Sequence, residues 1–188
     1  MNFKKNILYS TGNALIAFSI LGFIFTFFPL VLAYLPHEGS QTASKSGYTL
    51  EIPKIQAFAP IILNVNPFNE SEYKKALKLG VAHAKGTSLP GSLGKVYLFA
   101  HSSGFPWEIT RYNTIFLRLG ELNKNDKIII KKDKITFTYI VTNKKIVTPE
   151  SISYILQTTK NELILQTCSP IGTSINRLLI LAMPVKQN

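Results

Sequence analysis

The chain opens on one long apolar stretch and then changes period. From Asn6 to Pro36 no Lys, Arg, Asp, Glu or His interrupts it, and ALIAFSILGFIFTFFPLVLAYL forms its centre. A bilayer is crossed by about 20 apolar residues in a helix, so this run predicts one transmembrane helix. Residues 37–47, HEGSQTASKSG, are small and polar and read as a stem. Beyond it, alternation takes over. YTLEIPKI sets Leu50, Ile52 and Ile55 toward a core, with Pro53 marking an edge or a bulge. APIILNV reads as a second short strand.

A helical period returns in NESEYKKALKL, residues 69–79. Asn69 suits the N-cap, Glu72 the third helical position, Tyr73, Ala76 and Leu77 a buried stripe, and Gly80 the end. KVYLFAH then alternates, with Val96, Leu98 and Ala100 on one face and Tyr97, Phe99 and His101 on the other. An irregular loop, SSGFPWEITRYN, with Trp107 and Arg111, separates it from a helical turn that buries Ile115, Phe116 and Leu119. DKIIIKKDKITFTYIV predicts a hairpin about KKDK, with Ile135, Phe137, Tyr139 and Val141 on one face. TPESISYIL predicts a helix capped by Thr148 with Pro149 at its first position. ELILQTC and RLLILAM are the last strands.

Many short strands with few helices define a mainly β fold: a closed or nearly closed β-barrel with short helices, preceded by one N-terminal transmembrane helix. KVYLFAH, ELILQTC and RLLILAM are the most apolar strands and belong in the barrel wall. At 188 residues and 46% hydrophobic composition, the chain supports one modest domain besides the anchor. The expected division is 1–36 for the cytoplasmic tip and anchor, 37–47 for the stem and 48–188 for the barrel. Lys4 and Lys5 precede the apolar run, so the positive-inside rule keeps the N-terminus cytoplasmic and exports the rest. A cleaved signal peptide would have a shorter apolar region, about 7–15 residues, and a small-residue cleavage site; LAYLPHEG is a poor one.

Charge adds a partner class. The formal net charge is +11, and almost all of the excess follows the anchor, with lysines concentrated at Lys124, Lys127, Lys131, Lys132, Lys134, Lys144 and Lys145. These lysines form either a solvated hairpin rim or a surface attractive to membrane lipid or anionic envelope polymer. Nucleic acid is not an expected partner, because no recognition motif or basic–aromatic interleaving accompanies the charge.

The single cysteine excludes an intramolecular disulfide. In ELILQTC, Ile164, Gln166 and Cys168 share one face and Leu163, Leu165 and Thr167 the other. Cys168 and His101 each sit at a strand end, and Arg177 sits at a strand start. Neighbouring strands, with the last two antiparallel, would bring all three to one rim. A thiolate is a nucleophile, an imidazole can give a proton to a leaving amine, and a guanidinium can bond an oxyanion or hold a substrate backbone. On residue type alone a packing cysteine, a structural histidine and a rim arginine remain open as alternatives.

LQTCSPIGTSINRLLILA resembles the signature of the sortases, membrane-anchored cysteine transpeptidases: a TxTC strand end, a loop with Pro and Gly, then Arg and an apolar strand. GVAHAKGTSLPGSLGKVYLFAH resembles their upstream block, which ends in the catalytic histidine. FLRLGELNKNDKIII is similar to a third block, with Asn125 where Gly is commoner. The resemblance covers residues 48–185 and implies a sortase-type barrel. It makes Cys168 the nucleophile, His101 the catalytic histidine, Arg177 the arginine and His83 a non-catalytic histidine; His37 lies in the stem. Ala100-His101-Ser102 stands where the family often has Gly-His-Arg. TCSPIGT leans toward classes C and D, and the missing aspartate-led lid motif favours D or E. The implied partners are surface proteins carrying an LPxTG-like sorting signal and an amine acceptor on a cell-envelope precursor or protein. The implied chemistry needs no cofactor and no metal. Other readings are an L,D-transpeptidase-like envelope enzyme, whose motif places Ser-x-Gly before its cysteine, and a catalytically silent anchored binding module. A papain-like peptidase would place its cysteine before its histidine.

Overall fold

The computed structural model describes residues 2–34, 46–102, 112, 114–155 and 160–185. His37 and the expected stem as far as residue 45 lie outside the described residues, as do Trp107 and Arg111. The chain divides into two units, Met1–Leu35 and Pro36–Asn188. The first is a single helix, α1 (Asn2–Tyr34). Its stretch Tyr9–Phe28, with mean hydropathy 1.8, is long and apolar enough to cross a membrane. Inside that stretch the Ser19 and Thr26 hydroxyls donate to the carbonyls of Leu15 and Gly22, one turn back. Both polar groups are thus satisfied within the helix, as an apolar medium requires.

The second unit is a closed barrel. Its strands are β1 (Tyr48–Ile52), β2 (Ala57–Val65), β3 (Val81–Ala84), β4 (Lys95–Phe99), β5 (Lys127–Lys132), β6 (Ile135–Val147), β7 (Glu162–Ser169) and β8 (Asn176–Pro184). They close in the order β1-β2-β3-β4-β7-β8-β6-β5. Two pairs, β2–β3 and β4–β7, are parallel and the others antiparallel. The β5–β6 hairpin lies between β4 and β7 in sequence but pairs elsewhere, leaving β4 free to join β7. Leu50, Ile130, Val141, Leu98, Leu165 and Ile180 fill the interior and are almost inaccessible to solvent. Each such side chain contributes roughly 1.5–3 kcal/mol by leaving water.

Helix α2 (Glu70–Leu77) forms where its cap predicts. Asn69 accepts a hydrogen bond from the Glu72 N–H, and Ala76 and Leu77 are buried. The Glu72 carboxylate does not close a capping box on Asn69; it accepts from the Asn66 N–H instead. Tyr73 leaves the helix edge-on to Phe99 of β4, with centroids 6.4 Å apart. Gly80 is required for a different reason than helix termination: a Cβ there would lie 2.2 Å from the Pro60 carbonyl oxygen.

Other elements differ from the sequence reading. Pro53 marks neither an edge nor a bulge; it opens a 3-10 turn, Pro53–Ile55, in a barrel with closed edges. The helix expected from Thr148 is only a 3-10 turn, Ile152–Tyr154. Ser and the β-branched Ile favour helices weakly, so the cap signal has little to propagate. β6 runs on through the polar TNKKIV to Val147, past an irregularity between Val141 and Asn143. β3 is a four-residue strand buried throughout.

β4 and β7 open on Lys95 opposite Glu162, both buried, with Nζ and Oε1 3.9 Å apart. Lys160 approaches the same carboxylate at 3.6 Å. Burial holds the Lys95 pKa below its ordinary value, and the carboxylate opposes that shift. Removing one partner leaves a buried charge uncompensated, which costs far more than removing both. Glu162→Leu should lower unfolding free energy by about 3 kcal/mol in urea titration. Adding Lys95→Met should restore most of that loss. A double variant as unstable as the single one would mean that the pair does not act as a unit.

Candidate active site

Strand register assembles the site. In the parallel β4–β7 pair, Tyr97 lies opposite Ile164 and Phe99 opposite Gln166. The ladder continues past β4, since the Ala100 N–H donates to the Gln166 carbonyl at 3.1 Å. The buried Thr167 hydroxyl donates to the Ala100 carbonyl at 2.9 Å, stapling the two strand ends. His101 and Cys168 each lie two residues beyond the Phe99–Gln166 pair, so alternation puts both on that outer face. On the other side of β7, Cys168 pairs directly with Arg177 of β8. Cys168 of β7 and Arg177 of β8 therefore share one row with His101, just past the end of β4, and all three are half-buried.

The surroundings fix this row. Tyr97 is buried beneath it and its hydroxyl donates to Gln166 Oε1. Burial pushes the Tyr97 phenol pKa well up, with the Arg177 charge pulling weakly the other way. The phenol therefore stays a proton donor at neutral pH and sets the orientation of the Gln166 amide. That leaves the amide NH2 as a further donor one alternation before Cys168. Arg177 Nη1 donates to the carbonyls of Ser174 and Asn176, at 3.0 and 3.1 Å, which hold the guanidinium against the β7–β8 loop. A guanidinium has five donors, so others remain for a ligand. The thiol of Cys168 is free. Ser102 Oγ, next to His101, is buried and has no hydrogen-bond partner among the described residues. Among the described residues no three His, Cys, Asp or Glu side chains form a metal-binding group.

His83 is excluded from this row by strand parity. It pairs with Leu98, whose side chain belongs to the interior, and it is fully buried. Its Nδ1 faces the Asn64 N–H, a donor, and its Nε2 faces the Ser88 carbonyl, an acceptor. The ring is therefore the neutral Nε2–H tautomer. The Thr87 hydroxyl, which donates to the Ala84 carbonyl, meets the same Nε2–H as an acceptor.

The alternation of ELILQTC points to Gln166, but nothing local in the sequence pairs it with Tyr97. Val147 is likewise missed, because the polar run before it hides the strand. It lies directly opposite Arg177 and extends the row onto β6.

A barrel with this strand order, and with Cys, His and Arg on adjoining strand ends, has the architecture of a known class, and the comparisons agree. The sortase domain family matches residues 50–185, and the chain belongs to the sortase family. Sortase D of Bacillus subtilis (strain 168) is 35% identical over 144 residues, which cover 74% of this chain and 64% of that protein. The pilus-related sortase C of Group B Streptococcus superposes with a TM-score of 0.61 at 31% identity, over 74% of this chain and 66% of that one. Sortase C1 from Streptococcus suis gives a TM-score of 0.62 at 27% identity, over 79% and 76%. The chain thus spans just under two thirds of the length of the curated relative it matches.

Burial lowers the His83 pKa below its ordinary value, with the bond to Ser88 opposing the shift. Between that lowered value and the unfolded value near 6.5, the unfolded chain binds the extra proton. The stability His83 confers is thus complete above about pH 6.5 and declines as pH falls toward its folded pKa. His83→Gln should remove this dependence. The stability gap between wild type and variant should narrow from pH 8 to pH 5 in denaturant titrations. A gap that widens on acidification would mean that the folded state favours the imidazolium.

Proposed function

We propose that the chain is a membrane-anchored cysteine transpeptidase that cleaves an LPxTG-like sorting signal and passes the acyl group to an amine. The observation that carries this reading is the strand register: Cys168 lies opposite Arg177, and the alternation of β4, continued two residues past Phe99, brings His101 to the same face. Cys168 Sγ attacks the signal's carbonyl carbon as thiolate, forming a C–S bond and an oxyanion. Arg177 donates hydrogen bonds to that oxyanion or to the adjoining substrate backbone. As the intermediate collapses the C–N bond breaks, and His101 delivers a proton to the departing amine. The thioester is then resolved by an amine of a cell-envelope precursor or protein, which regenerates Cys168.

The 35% identity to Sortase D supports a class D assignment within the family. The apolar helix α1 supports a membrane anchor, and Lys4 and Lys5 before its apolar run support a cytoplasmic N-terminus with the barrel outside.

Full-length chain, incubated with a library of LPxTG-type peptides and glycinamide, should yield cleaved and amidated products by mass spectrometry. Cys168→Ala should yield neither, with its fold intact. An acyl adduct on another residue of that variant would reassign the nucleophile, and a wild type inert toward every peptide would favour an anchored binding module. Arg177→Lys keeps the charge but loses the planar donor fork. It should lower turnover by about 10²–10³ while leaving the pH dependence of Cys168 alkylation nearly unchanged. Near-normal turnover would reduce Arg177 to a charge.

A further inference from the structure

The chain is strongly cationic, which poses a problem for a nucleophile that arrives as an ammonium ion. Most of the described acids are already committed: Glu51, Glu70, Glu121, Asp126 and Glu162 each form a salt bridge with a lysine or arginine. Among the described residues that leaves Glu72, Asp133 and Glu150. Glu72 accepts from a backbone N–H beside α2. Asp133 sits in the β5–β6 turn, at the far end of β6 from Arg177. Glu150 follows the near end. β6 ends at Val147, which pairs with Arg177, which pairs with Cys168. Strands are spaced about 4.8 Å apart, so Val147 lies on the order of 10 Å from Cys168. Glu150 is three residues further on, in an exposed turn.

The Glu150 carboxylate is exposed to solvent. Its own backbone N–H and the Thr148 hydroxyl hold its pKa below the usual range, and the Arg177 charge acts in the same sense. Arg177 forms no salt bridge with Glu150 and instead bonds two carbonyls of its own loop. A carboxylate in this position is available to a cation from outside.

Building on the transpeptidase reading above, we propose that Glu150 is the docking point for the ammonium form of the acceptor amine, and so selects cationic nucleophiles over neutral ones. It offsets the repulsion of Arg177 and Lys145, which lie on the same outer face, and concentrates the amine beside the thioester. Glu150 makes no bond to the acyl group. The docked ammonium first gives one proton to solvent. The neutral nitrogen then forms the C–N bond as the C–Sγ bond breaks, and its remaining extra proton passes to His101 or to the departing sulfur.

The test uses the full-length chain in detergent, a fluorogenic LPxTG-type peptide and two acceptors at pH 7: glycinamide, largely cationic, and hydroxylamine, neutral. Glu150→Gln should raise the half-saturating concentration of glycinamide about fivefold, a size set by one screened charge at close range. The hydroxylamine reaction should change less than twofold, and the glycinamide difference should shrink in 1 M salt. Equal losses with both acceptors would mean that Glu150 acts by positioning Arg177 or by supporting the fold, and would overturn the proposal. So would an unchanged glycinamide response while hydroxylamine is consumed normally. A wild type that transfers to neither acceptor would remove the transpeptidase reading itself, and this role with it.

Discussion

The parallel register between β4 and β7 is the constraint on which the rest of the site depends. Side chains alternate with a period of two, so a slip of one residue would send His101 or Cys168 to the barrel interior. The register is secured at both ends by different chemistry. Lys95 and Glu162 meet at the start, buried and oppositely charged. Thr167 reaches the Ala100 carbonyl at the finish. Between them lie Val96, Leu98, Leu163 and Leu165, inaccessible to solvent or nearly so. Burial supplies most of the stability, whereas the polar contacts at the ends specify which residue lies opposite which. The antiparallel β7–β8 ladder then carries the alignment to Arg177.

The two histidines show the same geometry working in opposite directions. His83 faces inward, where every ring nitrogen has a backbone partner of the right polarity and burial disfavours a charge. His101 continues the outer alternation just past the end of β4 and is half-buried. Position on the sheet, more than residue type, separates the surroundings of the two rings. Arg177 adds positive charge to a site within a chain of net charge +11, so any acid placed near it weighs more than the number of acids suggests.

Much of this is legible in the sequence, for reasons that also explain what is not. KVYLFAH, ELILQTC and RLLILAM stand out because central barrel strands are buried on both faces and read as unbroken apolar runs. Cys168, His101 and Arg177 follow from them, since each marks a strand boundary. β3 does not stand out, because four residues carry too little pattern and a buried histidine interrupts it. The second half of β6 is hidden for the opposite reason: TNKKI is exposed, and its strand form depends on pairing with β8, far along the chain. The bond from Tyr97 to Gln166 is likewise non-local. Strand membership is largely local information here, whereas the contacts that tune the site depend on register.

The proposed reaction requires that one row, Cys168 of β7, Arg177 of β8 and His101 past the end of β4, handles the reacting carbonyl. Its most direct test is an experimental structure of the chain with a sorting-signal mimic joined to Cys168 Sγ through a disulfide. The account predicts the peptide on the outer face of β7, with the oxygen nearest Sγ about 3 Å from the Arg177 guanidinium and His101 on the side of the departing chain. A mimic whose oxygen is bonded elsewhere, with Arg177 still tied to Ser174 and Asn176 and His101 turned away, would contradict it.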